Sequence, residues 1–127
     1  MAHEGLHESE EKLSPATTDA HRATISLMEE FEAADWYRQR AEACADSELR
    51  AVLIHHLNEE LEHAAMLLEW LRRRIPELDG ALRTYLFTAE EIVRIEETSA
   101  GGGGAPKPAP RFTVGDMKNS NPAIHHE

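Results

Sequence analysis

The feature that most constrains this chain is a stretch in which apolar side chains recur at alternating steps of three and four residues. It follows Ser14 and Pro15, which stand where a helix prefers its N-cap and its first residue. The spacing predicts one long helix from Pro15 to about Cys44, with a single buried face on which only Glu30 is charged. The positions of that face are Ala16, Ala20, Ala23, Leu27, Glu30, Ala34, Tyr37, Ala41 and Cys44.

A second helix with the same spacing follows at once. Asp46 is its predicted N-cap, Glu48 suits its first turn, and three arginines suit its end near Arg74. Pro76 stops it, because the residue before a proline is pushed out of the helical conformation. The apolar face of this helix is interrupted near its middle. Its positions are Leu49, Leu53, His56, Glu60, His63, Leu67 and Trp70.

The interruptions of the two faces coincide. Glu30 lies 15 residues before Ala45, and Glu60 lies 15 residues after it. Equal rise per residue therefore puts both carboxylates at one level of an antiparallel hairpin. A carboxylate buried without a partner is costly, and a metal ion or a salt-bridged core would each satisfy it. Glu60 and His63 form an E-x-x-H motif, which is weak alone but gains weight from this position.

The rest of the chain divides into short segments. A third helix is predicted from Pro76 to Phe87, and a capping box opening at Thr88 predicts a fourth helix to Glu97. No strand alternation is present, so the predicted class is all-α, built on an antiparallel two-helix hairpin with short C-terminal helices. The predicted divisions are a mobile acidic arm at 1–13, a helical domain at 14–97, a Gly/Pro linker at 98–110 and a tail at 111–127.

A second apolar set cannot be covered by a lone hairpin. We expect it to pack both against the short C-terminal helices and against another subunit. Its members on the two long helices are Ile25, Met28, Phe31, Ile54, Leu57, Leu61, Ala64, Ala65 and Leu68.

Composition excludes several classes of protein. The net charge of -11, from 24 acidic and 13 basic residues, disfavours a nucleic-acid partner, which needs a basic face. No run of 18 apolar residues exists, so no membrane span is expected. The start of the chain lacks the apolar core of a signal peptide, and the single Cys44 can form no intrachain disulfide. These features predict a cytoplasmic protein.

The ligands and the helices are both half of a known arrangement. Ferritin-like di-iron proteins take a Glu from each of two helices and an E-x-x-H from each of two others. This chain offers one of each, in Glu30 and in Glu60 with His63. Two copies related by a two-fold axis would complete a four-helix bundle and a site for two metal ions. Such ligands suit iron or manganese, with zinc as a further option, and two Fe(II) ions held together can reduce dioxygen.

Four runs of the sequence resemble the encapsulated ferritins: residues 28–37 (MEEFEAADWY), 58–66 (NEELEHAAM), 69–73 (EWLRR) and 83–88 (RTYLFT). The resemblance covers roughly residues 15–97. It implies an iron-storage ferroxidase with a di-iron site shared by two chains at Glu30, Glu60 and His63. It further implies a ring-shaped homodecamer, housed in an encapsulin nanocompartment that stores the iron.

The resemblance also assigns residues around the site. It implies that Glu29 and Glu32, with Trp36 and Tyr37 nearby as residues that are not ligands, line a path by which metal arrives. A solvated acidic edge is the alternative for the two glutamates, and core packing is the alternative for Tyr37. The roles of His55 and His56 are open, and a hydrogen-bonded core histidine is the more common reading for His56.

The tail adds a separate resemblance. Residues from Phe112 to Met117 (FTVGDM) are similar to the peptide that loads cargo into encapsulin shells, after a Gly/Pro linker. Two rival functions stay open: a non-catalytic helical adaptor with a partner-binding tail, and another di-metal oxidase or peroxidase. The second would need an open substrate pocket, and small residues such as Ala20, Ala23 and Ala34 favour close helix packing instead.

Overall fold

The computed structural model describes residues 5–100 and divides after Leu71 into two compact units. The first unit contains a short 3₁₀ turn (Glu10–Lys12), helix α1 (Pro15–Ala43) and most of helix α2 (Ser47–Arg74). The second contains the last three residues of α2, helix α3 (Pro76–Tyr85) and helix α4 (Ile92–Ala100). All regular structure in residues 5–100 is helical, which confirms the all-α prediction.

Helix α1 begins and ends as its sequence predicts. The backbone of Ser14 is extended, and its hydroxyl accepts a hydrogen bond from the Thr17 N–H at 3.1 Å, with Pro15 as the first helical residue. The chain leaves the helical conformation at Cys44 (φ -83°, ψ 125°). Helix α1 therefore has 29 residues and is about 43 Å long.

Side-chain hydrogen bonds close the turn between α1 and α2. The carboxylate of Asp46 accepts a hydrogen bond from the Leu49 N–H at 2.7 Å, which makes Asp46 the N-cap that was predicted. Arg50 donates from Nε to the Ala41 carbonyl at 3.0 Å and from Nη2 to the Glu42 carbonyl at 3.3 Å. Both carbonyls lie in the last turn of α1, where the Ala41 carbonyl also accepts from the Cys44 N–H at 3.4 Å, so Arg50 ties the end of α1 to the start of α2.

The two long helices run antiparallel and in contact. Besides the Arg50 contacts, the ring of Tyr37 meets that of His56 with centroids 5.1 Å apart, and the Glu30 carboxylate lies beside His63. Residues nearer the start of α1 therefore contact residues nearer the end of α2. The core is made largely of small side chains, which let the two backbones approach closely. The buried residues of the hairpin are Ala23, Ala34, Ala41, Leu57, Ala64 and Leu71.

The buried face of α2 differs from the prediction by one residue at alternate positions. Leu53, Glu60 and Leu67 are half-buried, as the predicted face requires. Trp70 is half-buried as well, whereas Leu49, His56 and His63 are exposed. The prediction is wrong at these three positions, because α2 is apolar on two adjacent sides and the spacing fits either side about equally well. Buried residues are Leu57, Ala64 and Leu71, where the prediction had His56, His63 and Trp70.

The second apolar set is accordingly split. Leu57 and Ala64 belong to the core, whereas other members leave large apolar surfaces exposed in the single chain. The exposed members are Met28, Phe31, Ile54 and Leu61.

The contacts described for the second unit are the hydrogen bonds of Asp79 and the burial of Ile95. Helix α3 starts at Pro76, as predicted, and Asp79 in its first turn accepts hydrogen bonds from Arg72 and from Nε of Arg83, the latter at 3.0 Å. Helices α3 and α4 contact each other, and Ile95 of α4 is buried. No helix within residues 5–100 has the length and apolar character needed to cross a membrane.

The connection between α3 and α4 departs from the prediction. The Thr88 hydroxyl donates to the Tyr85 carbonyl at 2.8 Å, so it closes α3 instead of opening the next helix. The predicted capping box is therefore wrong, and α4 starts at Ile92 and continues to Ala100, three residues past the predicted end. Residues 101–110 of the predicted linker and the whole tail at 111–127 lie outside the described residues.

The Asp79 contacts make a testable contribution to stability. The Arg83 and Arg72 guanidinium groups lower the pKa of Asp79, so their contribution is present at neutral pH and is lost as the pH falls through that lowered pKa. We expect Asp79→Asn to reduce the free energy of unfolding at pH 7 by about 1 kcal/mol in urea titrations of the iron-free protein. Asp19→Asn is the control, because Asp19 pairs only with the exposed Arg22 of its own helix. Equal effects of the two substitutions at pH 7 would contradict the prediction.

Candidate metal centre

Two helices bring three potential metal ligands together at mid-height of the hairpin. Glu30 comes from the middle of α1, and Glu60 and His63 come from one turn of α2, as the i, i+3 spacing requires. The carboxylates are mostly covered, with side-chain exposures of 25% for Glu30 and 23% for Glu60, whereas His63 is 46% exposed. The cluster is therefore set into the hairpin with one side open.

The three side chains lie close enough together to hold one cation. His63 Nδ1 lies 3.6 Å from Glu30 Oε2 and 3.9 Å from Glu60 Oε1. One ligand atom from each of the three residues lies within 4.8 Å of the others. Within residues 5–100, the group of three potential ligands that lie close enough to hold one metal ion is Glu30, Glu60 and His63.

The electrostatics of the cluster reflect two carboxylates placed side by side. The pKa of Glu30 is raised, first by its hydrogen bond with Glu60, then by burial and by repulsion from the Glu60 charge. His63 acts in the opposite direction, through its charge and its hydrogen bond to Glu30. The raised pKa of Glu30 therefore reflects a crowded pair of acids, and a metal ion bound beside them would favour the charged form of Glu30.

The donor set fits iron. Carboxylate oxygens with one imidazole nitrogen suit Fe or Mn better than a thiolate-rich site would. Three protein ligands are too few for two metal ions. The open side at His63 leaves room for further ligands from outside the chain.

The residues assigned to a metal path lie next to this cluster along α1. Glu29 and Trp36 are exposed, while Glu32 and Tyr37 are half-buried. None of the four belongs to the three-residue cluster. Their placement on the surface beside Glu30 is compatible with a path and equally with a solvated acidic edge, so the path stays a prediction.

Arg40 is a neighbour that the sequence reading missed. Its guanidinium carbon lies 5.7 Å from the Trp36 ring centroid and 5.6 Å from that of Tyr37, a cation–π arrangement with both rings. The spacing of four and three residues along one helix was the available signal.

The two adjacent histidines are surface residues. His56 is exposed and packs edge-on against Tyr37, so its reading as a core histidine is wrong. His55 Nε2 lies 3.4 Å from Glu59 Oε1 on the exposed side of α2. Neither histidine belongs to the Glu30, Glu60 and His63 cluster.

The chain is similar in sequence and in fold to known proteins. The EncFtn-like family model matches residues 5–89. An encapsulated ferritin-like protein of Rhodospirillum rubrum is 52% identical over 99 residues, 78% of this chain and 71% of that protein. A ferritin-like protein of Thermotoga maritima is 52% identical over 96 residues, 76% of this chain and 84% of that protein. The crystal structure of protein ne0167 from Nitrosomonas europaea matches with a TM-score of 0.67 and 56% identity, covering 69% of this chain and 97% of that one.

The raised pKa of Glu30 predicts that the cluster opposes folding when no metal is present. An acid whose pKa is higher in the folded state loses stability as the pH rises through that pKa. We therefore expect Glu30→Gln to raise the free energy of unfolding at pH 7 by about 0.5 kcal/mol, the size of a like-charge contact at a partly exposed site. The gain should shrink at pH 4. Urea titrations in the presence of a metal chelator would measure this gain in the free energy of unfolding, with Glu29→Gln as the control. A larger loss of stability in Glu30→Gln than in Glu29→Gln would refute the idea.

Proposed function

This chain belongs to the EncFtn-like family, and from that premise we propose that it oxidises Fe(II) to Fe(III) with dioxygen at a di-iron site formed by two copies. The observation that carries the proposal is the convergence of Glu30, Glu60 and His63, whose ligand atoms lie within 4.8 Å of one another. The metal is the substrate of this reaction, and the shared site is the place where two ions are held together.

The incomplete ligand set supports a site shared between chains. Glu30 and Glu60 are mostly covered, whereas His63 is nearly half exposed at the open side of the cluster. A second copy placed there by a two-fold axis would present the same three residues, since a two-fold contact is self-complementary. Four carboxylates and two imidazoles would then surround two ions, in the arrangement of ferritin-like di-iron proteins.

The chain's own residues supply charge and proton control. Two bound Fe(II) ions would each give one electron to dioxygen. A bound cation would favour the charged form of Glu30, whose pKa is raised in its absence, and the negative charge of Glu30 and Glu60 would favour the more highly charged ferric product. His63 would bind as a neutral imidazole through Nδ1, the nitrogen that faces both carboxylates.

The charges around the cluster suggest the side from which iron arrives. Glu29 and Glu32 place negative charge next to Glu30 on α1, which raises the local concentration of cations. The Arg40 guanidinium over the rings of Trp36 and Tyr37 places positive charge further along the helix. Iron would therefore approach past the two glutamates, and the aromatic pair would mark the limit of that path.

Storage would take place outside the site. The name of the Rhodospirillum rubrum relative describes that protein as encapsulated. We propose that this chain likewise works inside an encapsulin shell in the cytoplasm, as a ring of ten copies that delivers ferric iron to the shell. Phe112 to Met117, outside the described residues, would dock the ring to the inner wall of the shell as an extended peptide.

The neighbouring glutamates Glu59 and Glu60 provide a matched test of the site. Each copy contributes Glu60, so Glu60→Ala removes two ligands from each shared site, and we expect the rate of Fe(II) oxidation to fall at least about 100-fold. Glu59→Ala should keep most of the rate, because Glu59 pairs with His55 and lies outside the cluster. Absorbance of ferric product after mixing with Fe(II) in air measures both rates.

Native mass spectrometry of the same proteins tests the sharing. Fe(II) should stabilise a unit of two chains in the unsubstituted protein and in Glu59→Ala, but not in Glu60→Ala, because a metal bound between copies shifts their association. A single chain that binds two irons tightly would show that the site is not shared. An unchanged oxidation rate in Glu60→Ala would remove the cluster from the proposal altogether.

The tail should be needed for packaging but not for chemistry. Deletion of residues 111–127 leaves Glu30, Glu60 and His63 in place, so we expect an unchanged rate of Fe(II) oxidation. The same deletion should abolish co-purification with a co-expressed encapsulin, since a weak docking peptide acts through many copies per ring. A truncated protein that is still packaged would place the signal elsewhere, for example in the acidic arm at 1–13.

A further inference from the structure

An exposed methionine lies one helical turn beyond the metal ligand His63. The side chain of Met66 is 60% exposed, the highest value among the large apolar side chains of α1 and α2. It therefore gains little from packing within its own chain, which is the common use of a methionine in a helical protein. A thioether also has a chemistry of its own, because oxidants convert it to a sulfoxide.

The geometry of α2 directs Met66 towards the open side of the metal cluster. Residues three apart on a helix are neighbours, with Cβ atoms about 5–6 Å apart, so Met66 stands beside His63. Helical side chains lean back towards the start of their helix, over the turn that precedes them. For Met66 that turn contains His63, whose side chain is 46% exposed. The thioether and the imidazole therefore share one exposed surface.

Met28 is close to a ligand in sequence but lies on another side of its helix. It precedes Glu30 by two residues, which turns its side chain about 200° away around α1. Its side chain also leans towards the start of α1, away from Glu30. Met28 is 37% exposed, so oxidants in solution reach it as they reach Met66. The two methionines differ in their position relative to the cluster.

The proposed oxidation of iron produces an oxidant at this place. Two Fe(II) ions give two electrons to one dioxygen molecule, and with two protons from the solvent this yields hydrogen peroxide and two Fe(III) ions. Peroxide formed between two copies leaves past the exposed edge of the cluster, which on each copy is the surface shared by His63 and Met66. Met66 is therefore the methionine of the two long helices that this peroxide meets first.

We propose that Met66 is oxidised to methionine sulfoxide by the hydrogen peroxide that the metal site releases. The sulfur attacks one peroxide oxygen, so an S–O bond forms as the O–O bond breaks. The sulfur loses two electrons, and the other oxygen leaves with both protons as water. The inference rests on the proposed function, because that reaction supplies the peroxide, and it adds a modification site to it.

The competing reading of an exposed apolar side chain is a contact with a second copy. Such a contact would bury Met66 and protect it from oxidants, so the two readings predict opposite results. Burial at a contact would leave Met66 less oxidised than Met28, whereas a source of peroxide beside His63 makes Met66 the more oxidised of the two.

Peptide mass spectrometry after iron oxidation tests the assignment. The full iron-free chain is mixed with Fe(II) in air together with catalase, which destroys peroxide that has escaped into solution. We expect the sulfoxide fraction at Met66 to exceed that at Met28 by at least tenfold. Similar fractions at the two positions, with ferric product formed at the usual rate, would overturn this inference and leave the proposed function intact. Oxidation of Fe(II) no faster than in buffer alone would contradict the proposed function, and this inference with it.

Two controls show whether the oxidant comes from the metal site. Zn(II) accepts such ligands but has no redox chemistry, so Zn(II) in place of Fe(II) should leave both methionines reduced. Glu60→Ala with Fe(II) should lower the Met66 fraction to that of Met28. A preference for Met66 that persists in either control would overturn the inference. If circular dichroism shows that Glu60→Ala is not folded, the Zn(II) control decides, because it uses the unsubstituted chain.

Two further measurements separate position from intrinsic reactivity. Hydrogen peroxide added to the iron-free chain should oxidise Met66 and Met28 within about twofold of each other, since both side chains are exposed. A tenfold preference for Met66 under these conditions would assign the effect to exposure instead of position, and the inference would fail. Met66→Leu should keep the rate of Fe(II) oxidation, because Met66 receives the peroxide and takes no part in forming it. A tenfold loss of rate in Met66→Leu would also overturn the assignment.

Discussion

The repulsion between Glu30 and Glu60 is the constraint on which the rest of this structure depends. Two mostly covered carboxylates lie at one level of the hairpin, and the hydrogen bond with Glu60, burial and the Glu60 charge together raise the pKa of Glu30. A hydrophobic pair at the same height would make a more stable hairpin. The pair therefore costs stability when both groups are charged, and the proposed binding of a cation between two copies would offset that cost.

The core around this pair is built for close approach and not for a large buried area. Alanines at three levels of α1 let α2 come near, but they bury little apolar surface. The larger apolar side chains, including Met28, Phe31, Leu61 and Phe87, remain exposed in the single chain. A folding unit of this size gains much of its stability from what it packs against. The small side chains that let the ligands come together thus leave large apolar side chains exposed in the single chain.

Local sequence signals succeeded where the interaction spans a few residues. Ser14 and Asp46 cap the long helices because a short side chain reaches the free N–H groups of the next turn, whatever lies further away. The capping box predicted at Thr88 is not formed, although the sequence matches the motif. The hydroxyl of Thr88 instead donates a hydrogen bond to the carbonyl of Tyr85, because the chain turns there with Phe87 at a positive φ. A capping box depends on the backbone conformation of the residues that precede it, and the sequence of the motif does not specify that conformation.

The sequence by itself determined the two long helices, through their apolar spacing and their N-caps. It also determined their antiparallel order and the equal height of Glu30 and Glu60, which follow from the turn at Ala45 and from rise per residue. Which side of α2 faces inward was decided only by the tertiary structure. Two adjacent apolar stripes satisfy the same spacing, and packing against α1 selected Leu57, Ala64 and Leu71. That choice turned His63 to the edge of the hairpin, in contact with Glu30 yet open on one side. Periodicity defines a set of possible faces, whereas the fit of side chains from both helices selects one of them.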